Sequence, residues 1–201
     1  MLVSTIEDAL AFIIKFGEYE NVHIEAEFVE KFPHALPLII SVSDQLGGDG
    51  LCRHNGRQHS LLTVQDTIFR PEQMTPNEDG VYCFASENQG VYAFGAHPDN
   101  PERALVRGDW TDQNGVHTYS MDWRESGISS EMALIFTTFI NAFFSFPYES
   151  QNQDDIYQPP SDTDVCVWYQ PMLWPNWKGY WTNRDQSKLF LSGMGMTLSR
   201  V

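Results

Sequence analysis

Apolar residues at 6, 10, 13 and 14 recur on one face of a 3.6-residue period, which predicts a helix at the start of the chain. Ser4 and Glu7 stand at capping-box spacing before it, and Gly17 is a fitting stop. Residues 22–32 are ambiguous: Val22, Ile24, Ala26 and Phe28 alternate like a strand. Glu and Lys are poor strand formers, so helix is the reading taken there, ended by Pro33. In "LPLIISVSDQLGG", residues 36–48, Pro37 suits a first helical turn and Leu38, Ile39, Val42 and Leu46 share a face. Its two glycines close the helix. A last helix begins at Ser129, carries Met132, Ile135, Phe136, Phe139, Ile140 and Phe143 on one side, and is closed by Pro147.

Between these helices the pattern shortens to strands. "LLTVQDTIF" reads as a strand or a short helix, and "TPNEDG" as a turn. Residues 81–84 and 91–94 read as strands flanking "ASENQG". Residues 104–106 and 116–121 are expected as two more, joined by the turn "TDQNG", and "KLFLSGMGMTLSR" as one final strand. Gly90, after Asn88 and Gln89, supplies the positive φ of a tight hairpin turn. A hairpin accounts for the glycine but leaves open why Glu87, Asn88 and Gln89 come together.

Residues 149–164, "ESQNQDDIYQPPSDTD", are acidic and Pro-bearing, the one linker-like stretch. Beyond them four tryptophans lie between Trp168 and Trp181. They are read either as core packing of a final strand and loop or as a recognition surface, since Trp and Tyr concentrate at interface hot spots.

Charge narrows the classes. Acids number 27 against 12 bases, a net charge of −15. Binding a phosphate backbone needs basic surface, so nucleic acid is not an expected partner. A basic protein is, because opposite charge speeds its approach. No apolar run reaches the roughly 20 residues of a membrane helix, and no cationic start precedes an apolar segment as in a signal peptide. Three separated cysteines, Cys52, Cys83 and Cys166, suggest no disulfide framework, and a reducing cytoplasm is the expected setting. The histidines at 23, 34, 54, 59, 97 and 117 form no close ligand pair, so no metal is expected. Neither "GGDG" nor "GMGM" sits in a phosphate-loop context, and no GxSxG occurs.

"LPLIISVSDQLGG", then "RPEQM", then "YCFASENQGVYAFG" together resemble the SUKH superfamily, the group that holds the yeast cell-wall-synthesis regulator and many bacterial immunity proteins. The likeness runs over about residues 6–146, with Phe94 where the family often has Trp. The resemblance implies an α+β domain with a central, largely antiparallel sheet and helices packed around it. It places a SUKH-like domain at residues 1–148; beyond residue 147 the likeness fades, and 149–201 is expected as an acidic, Pro-rich excursion and an aromatic segment packing on the same domain. It implies a binding module without catalytic apparatus or cofactor, in which Asn88, Gln89 and Gly90 fix the turn.

The leading expectation is therefore a cytoplasmic, non-enzymatic protein that binds and neutralises a toxin domain, such as a basic nuclease. Glu87, Asp99, Asp109, Trp110 and Asp112 are the expected contact residues, since they lie at or between strand ends. Two rivals are a regulatory or scaffold domain, and a hydrolase using Glu87, Asp99, Asp109 or His97. In an enzyme, perturbed carboxylates and a histidine should converge on one cleft.

Overall fold

The computed structural model describes residues 2–17, 52–54, 57–59, 61–70, 73–113, 116–145, 165–168, 179–182, 184–185, 188–192 and 196–199. For 52–54, 57–59, 109–113, 116–118, 188, 190–192 and 196–199 the description is of backbone alone. The expected helices at 22–32 and 36–48, the segment 149–164, and Tyr169, Trp174 and Trp177 lie outside the described residues.

Helix α1, Ile6–Gly17, buries Ile6, Ala9, Leu10 and Ile13. Its cap sits one residue later than expected. The Thr5 hydroxyl accepts the Asp8 N–H at 3.2 Å, and the Asp8 carboxylate takes the N–H groups of Ser4 at 3.0 Å and Thr5 at 3.2 Å. These bonds hold the Asp8 carboxyl below the usual carboxylate range, the one from the Ser4 hydroxyl most of all. The next free amide, Ile6, is satisfied from another element: it donates to Glu131 at 2.9 Å.

That glutamate opens helix α2, Ser130–Ser145, whose start is capped by the Ser129 hydroxyl accepting the Met132 N–H at 3.1 Å. α2 is buried on almost every side, because it lies between the main sheet, α1 and the C-terminal strands. Two of its buried hydroxyls bond back to the helix: Thr137 donates to the Ala133 carbonyl and Ser145 to that of Ala142, whereas those of Ser130 and Thr138 are buried without a partner among the described residues.

The central sheet has five antiparallel strands in the order β3-β4-β5-β6-β9. These are Thr67–Ile68 (β3), Tyr82–Ser86 (β4), Ala93–His97 (β5), Asn100–Arg107 (β6) and Arg124–Ser129 (β9). The fold is thus α+β with a central antiparallel sheet. Phe84, Phe94, Ala96, Ala104, Val106 and Ile128 turn one face of the sheet to the core and α2. Two short hairpins flank it: Cys52–His54 with Arg57–His59 (β1, β2), and Asp109–Gln113 with Val116–Ser120 (β7, β8).

Two sequence expectations change here. Residues 116–121 do not join the strand at 104–106. They pair instead with β7, which reads as polar apart from Trp110, and the neighbour of β6 is β9. The expected final strand is a hairpin, Lys188–Ser192 (β12) against Met196–Ser199 (β13). It completes a four-stranded sheet with Val165–Trp168 (β10) and Gly179–Thr182 (β11).

This second sheet shares the main core. The Tyr180 ring stacks on Phe139 at 4.8 Å between centroids, and Trp168 lies 6.3 Å from Phe139 and nearly parallel to it. Val167, Trp168, Tyr180 and Leu189 are buried with α2. Trp168 therefore follows the packing reading of the aromatic segment, while Trp181 is half-buried. At the chain start, the N–H groups of Leu2 and Val3 donate to the carbonyls of Cys166 and Val167 at 3.0 and 2.9 Å.

Candidate functional site

The turn between β4 and β5 answers why Glu87, Asn88 and Gln89 stand together. The strands end at Ser86 and resume at Ala93, so the connection lies two residues later than the sequence pattern predicts and Val91 belongs to it, 38% exposed. The Gly90 N–H donates to the Glu87 carbonyl at 3.0 Å, and Gly90 has the expected positive φ, 73°. The Glu87 carboxylate folds back over its own turn and accepts the N–H groups of Gln89 at 2.8 Å and Val91 at 3.0 Å. It clamps the loop, and Asn88 and Gln89 are left exposed.

Beneath the clamp lies a second carboxylate. Asp66 is 2% exposed, and its Oδ2 accepts the Tyr92 hydroxyl at 2.7 Å. Asn141 of α2 fixes the segment that carries it. Its side-chain oxygen takes the N–H groups of Gln65 and Asp66 at 3.1 and 2.7 Å, and its amide donates to the Asp66 carbonyl at 2.9 Å. Burial pushes the Asp66 carboxyl up to about 6, more than the Tyr92 hydrogen bond restores, and the Glu87 charge adds to the rise. Burial also drives the Tyr92 hydroxyl upward, with Asp66 adding to it, so that phenol is a donor and not a base.

The β7–β8 hairpin is docked on this turn. The Tyr119 hydroxyl donates to the Val91 carbonyl at 2.7 Å, and the Gly108 N–H, at the hairpin base, to the Ser120 carbonyl at 2.7 Å. The fit at Gly108 is close: a Cβ there would lie 2.4 Å from the Val91 carbonyl oxygen.

The expected contact residues therefore divide. Glu87 lies in the clamp. Asp109, Trp110 and Asp112 lie on β7, opposite Ser120, Tyr119 and His117, and of these three the backbone alone is described. The turn and the hairpin base meet. Asp99 does not join them: it lies beyond the far end of β5, about 16 Å away for a five-residue strand. There its carboxylate, 90% exposed, is 3.5 Å from His97 Nδ1, and its N–H donates to the same nitrogen at 3.2 Å.

On the face of the sheet turned away from α2 is a groove of about 530 Å³ that the sequence did not announce. It is lined by Asn77, Asp79, Val81, His97, Leu105, Arg107, Met121, Asp122 and Trp123. Four separate segments build it, which is why no local motif marks it. Asn77 shapes its near wall, its side-chain oxygen accepting the N–H groups of Asp79 at 3.0 Å and Val81 at 2.8 Å. Trp123 crosses the sheet where β5 has no side chain, since a Cβ at Gly95 would lie 2.9 Å from the indole. The Arg107 guanidinium sits 5.1 Å from the centre of that ring.

Asp66 and His97 do not converge. Tyr92, which binds Asp66, points into the core, whereas His97 lines the groove on the opposite face and at the other end of β5. Burial pushes the Cys83 thiol up to about 11, away from nucleophilic use. Among the described residues, no three His, Cys, Asp or Glu side chains are grouped to hold a metal ion, and no helix is long and apolar enough to cross a membrane.

The fold and the groove define an α+β module that offers a sheet face and a clamped turn. No family model matches the chain, and no curated protein and no solved structure matches it.

Proposed function

We propose that this protein is a non-catalytic, cytoplasmic binding module for another protein, and that it acts as an immunity protein against a basic toxin domain. The observation that carries the reading is the division of labour between the carboxylates. Asp66 and Glu87, the acidic pair near the chemistry-bearing ENQG stretch, are spent on holding a turn. Glu78, Asp79, Asp99, Glu102, Asp122 and Glu125 stand exposed, and of these only Asp99 and Glu125 lie within ion-pair distance of a basic side chain among the described residues. The likeness of the ENQG segment to the SUKH superfamily and the net charge of −15 support the same reading.

The test is association with the product of the gene adjacent to its own, by stopped flow across a salt series. Fast association that slows steeply with salt is expected, because charge steering is screened over about 10 Å at 0.1 M. Co-expression should relieve that product's toxicity. Binding to a non-toxic neighbour instead would favour a regulatory or scaffold role. An acidic partner, or a flat salt response, overturns the electrostatic account.

A further inference from the structure

We propose that the groove on the open sheet face seats an extended, lysine- or arginine-bearing segment of the partner protein. This inference rests on the binding-module reading and names the surface that serves it.

The groove has the volume of a ligand site, about 530 Å³, but lies open along the sheet and is walled by turns. Its floor is apolar, Val81 and Leu105, and one wall offers Met121, 58% exposed, beside the half-buried Trp123. An exposed methionine next to a tryptophan supplies the adaptable apolar contact that interface cores favour. The charges are placed to pair outward. Asp79 and Asp122 are exposed and make no ion pair among the described residues. Asp79 is nonetheless held in place, because the Asn77 turn fixes its backbone. Arg107 has no carboxylate partner there either; Trp123 holds its guanidinium in the groove, where it can donate to a main-chain carbonyl. Two unpaired acids at the rim and one fixed donor inside fit an extended segment, with cationic side chains toward Asp79 and Asp122 and its backbone toward Arg107. Glu78, Asp99, Glu102 and Glu125 extend the negative surround, against Arg103 and Arg124.

The experiment uses the full chain labelled with ¹⁵N and a decapeptide of alternating lysine and leucine, with a glutamate-for-lysine counterpart as control. The basic peptide should shift the Trp123 indole N–H and the amides of Asp79 and Asp122 saturably, and the acidic peptide should not. Asp79→Lys and Asp122→Lys, both at exposed positions, should each weaken binding about tenfold, whereas Glu7→Lys on α1, an equal change in net charge, should alter it less than about twofold. The same spectra report whether each variant is folded. Shifts spread evenly over surface acids, or equal weakening by Glu7→Lys, overturn the groove. If the adjacent gene's product binds while the groove signals stay silent, the groove fails and the module reading stands. If the peptide seats in the groove but that product does not bind, the immunity reading fails and the groove stands.

Discussion

Asp66 makes stability depend on pH in an unusual direction. Its carboxyl is raised from 3.8 to about 6 in the folded protein, so the folded state holds a proton that the unfolded state has lost between those values. Stability therefore falls as pH rises through that window and is greatest below it. That rise corresponds to about 3 kcal/mol over the whole window, of which about 1.4 kcal/mol falls between pH 5.0 and 7.5. Urea denaturation at pH 7.5 and pH 5.0 should show the wild type more stable at the lower pH, and Asp66→Asn should remove most of the difference. The lowered Asp8 carboxyl has the opposite sign, but it titrates below its ordinary value and leaves this window untouched. Gly90 and Gly108 both have positive φ, 73° and 74°, yet they should respond differently. Nothing lies within 4 Å of a Cβ at Gly90, so Gly90→Ala should cost only the left-handed strain, about 1 kcal/mol. Gly108→Ala adds a collision with the Val91 carbonyl and should cost at least about twice as much. It should also raise hydrogen exchange in β8.

At the scale of elements, α2 organises the molecule through one polar residue. Asn141 is fully buried and makes three hydrogen bonds to the Gln65–Asp66 backbone. Asn141→Leu would leave those groups buried and unpaired, and a loss of about 3–5 kcal/mol is expected by chemical denaturation. Nothing in the local sequence announced this contact, since its two sides lie 75 residues apart. α2 itself was legible because six large apolar residues hold the helical period. The ENQG hairpin was legible because Gly90 follows two polar turn residues, but its connection lies two residues later than expected, with the Glu87 clamp taking Val91 into the loop. β9 was missed for want of a pattern: "RESGIS" offers Ile128 alone to the core, and Gly127 interrupts it. The cap of α1 was misplaced by one residue because Ser4/Glu7 and Thr5/Asp8 share the same spacing, and only geometry chooses between them. The groove was invisible for a further reason: Asp79, His97, Arg107 and Trp123 belong to four stretches that only the sheet brings together.

For the molecule as a whole, the residues after 164 are structural partners of those before 148. Phe136, Phe139 and Phe143 on α2 meet Trp168 and Tyr180, and the backbone of Leu2 and Val3 is bonded to β10. A chain ending at residue 148 would expose those rings, and loss of such contacts costs about 3–5 kcal/mol for a single large aromatic. The truncated chain should bind a hydrophobic dye and lose its sharp thermal transition, whereas the full chain should unfold in one step by both circular dichroism and tryptophan fluorescence.

The bonds from Leu2 and Val3 to β10 also set an order of events during synthesis. Leu2 and Val3 find their partners only after roughly 160 further residues have followed, which at about 5–20 residues per second is a wait of some 8–30 s. Through that interval α1 carries its buried face, Ile6, Leu10 and Ile13, without the finished core. The nascent chain should accordingly engage chaperones until β10 emerges, and its yield in the cell should respond to translation speed near residue 165 more than to speed anywhere earlier.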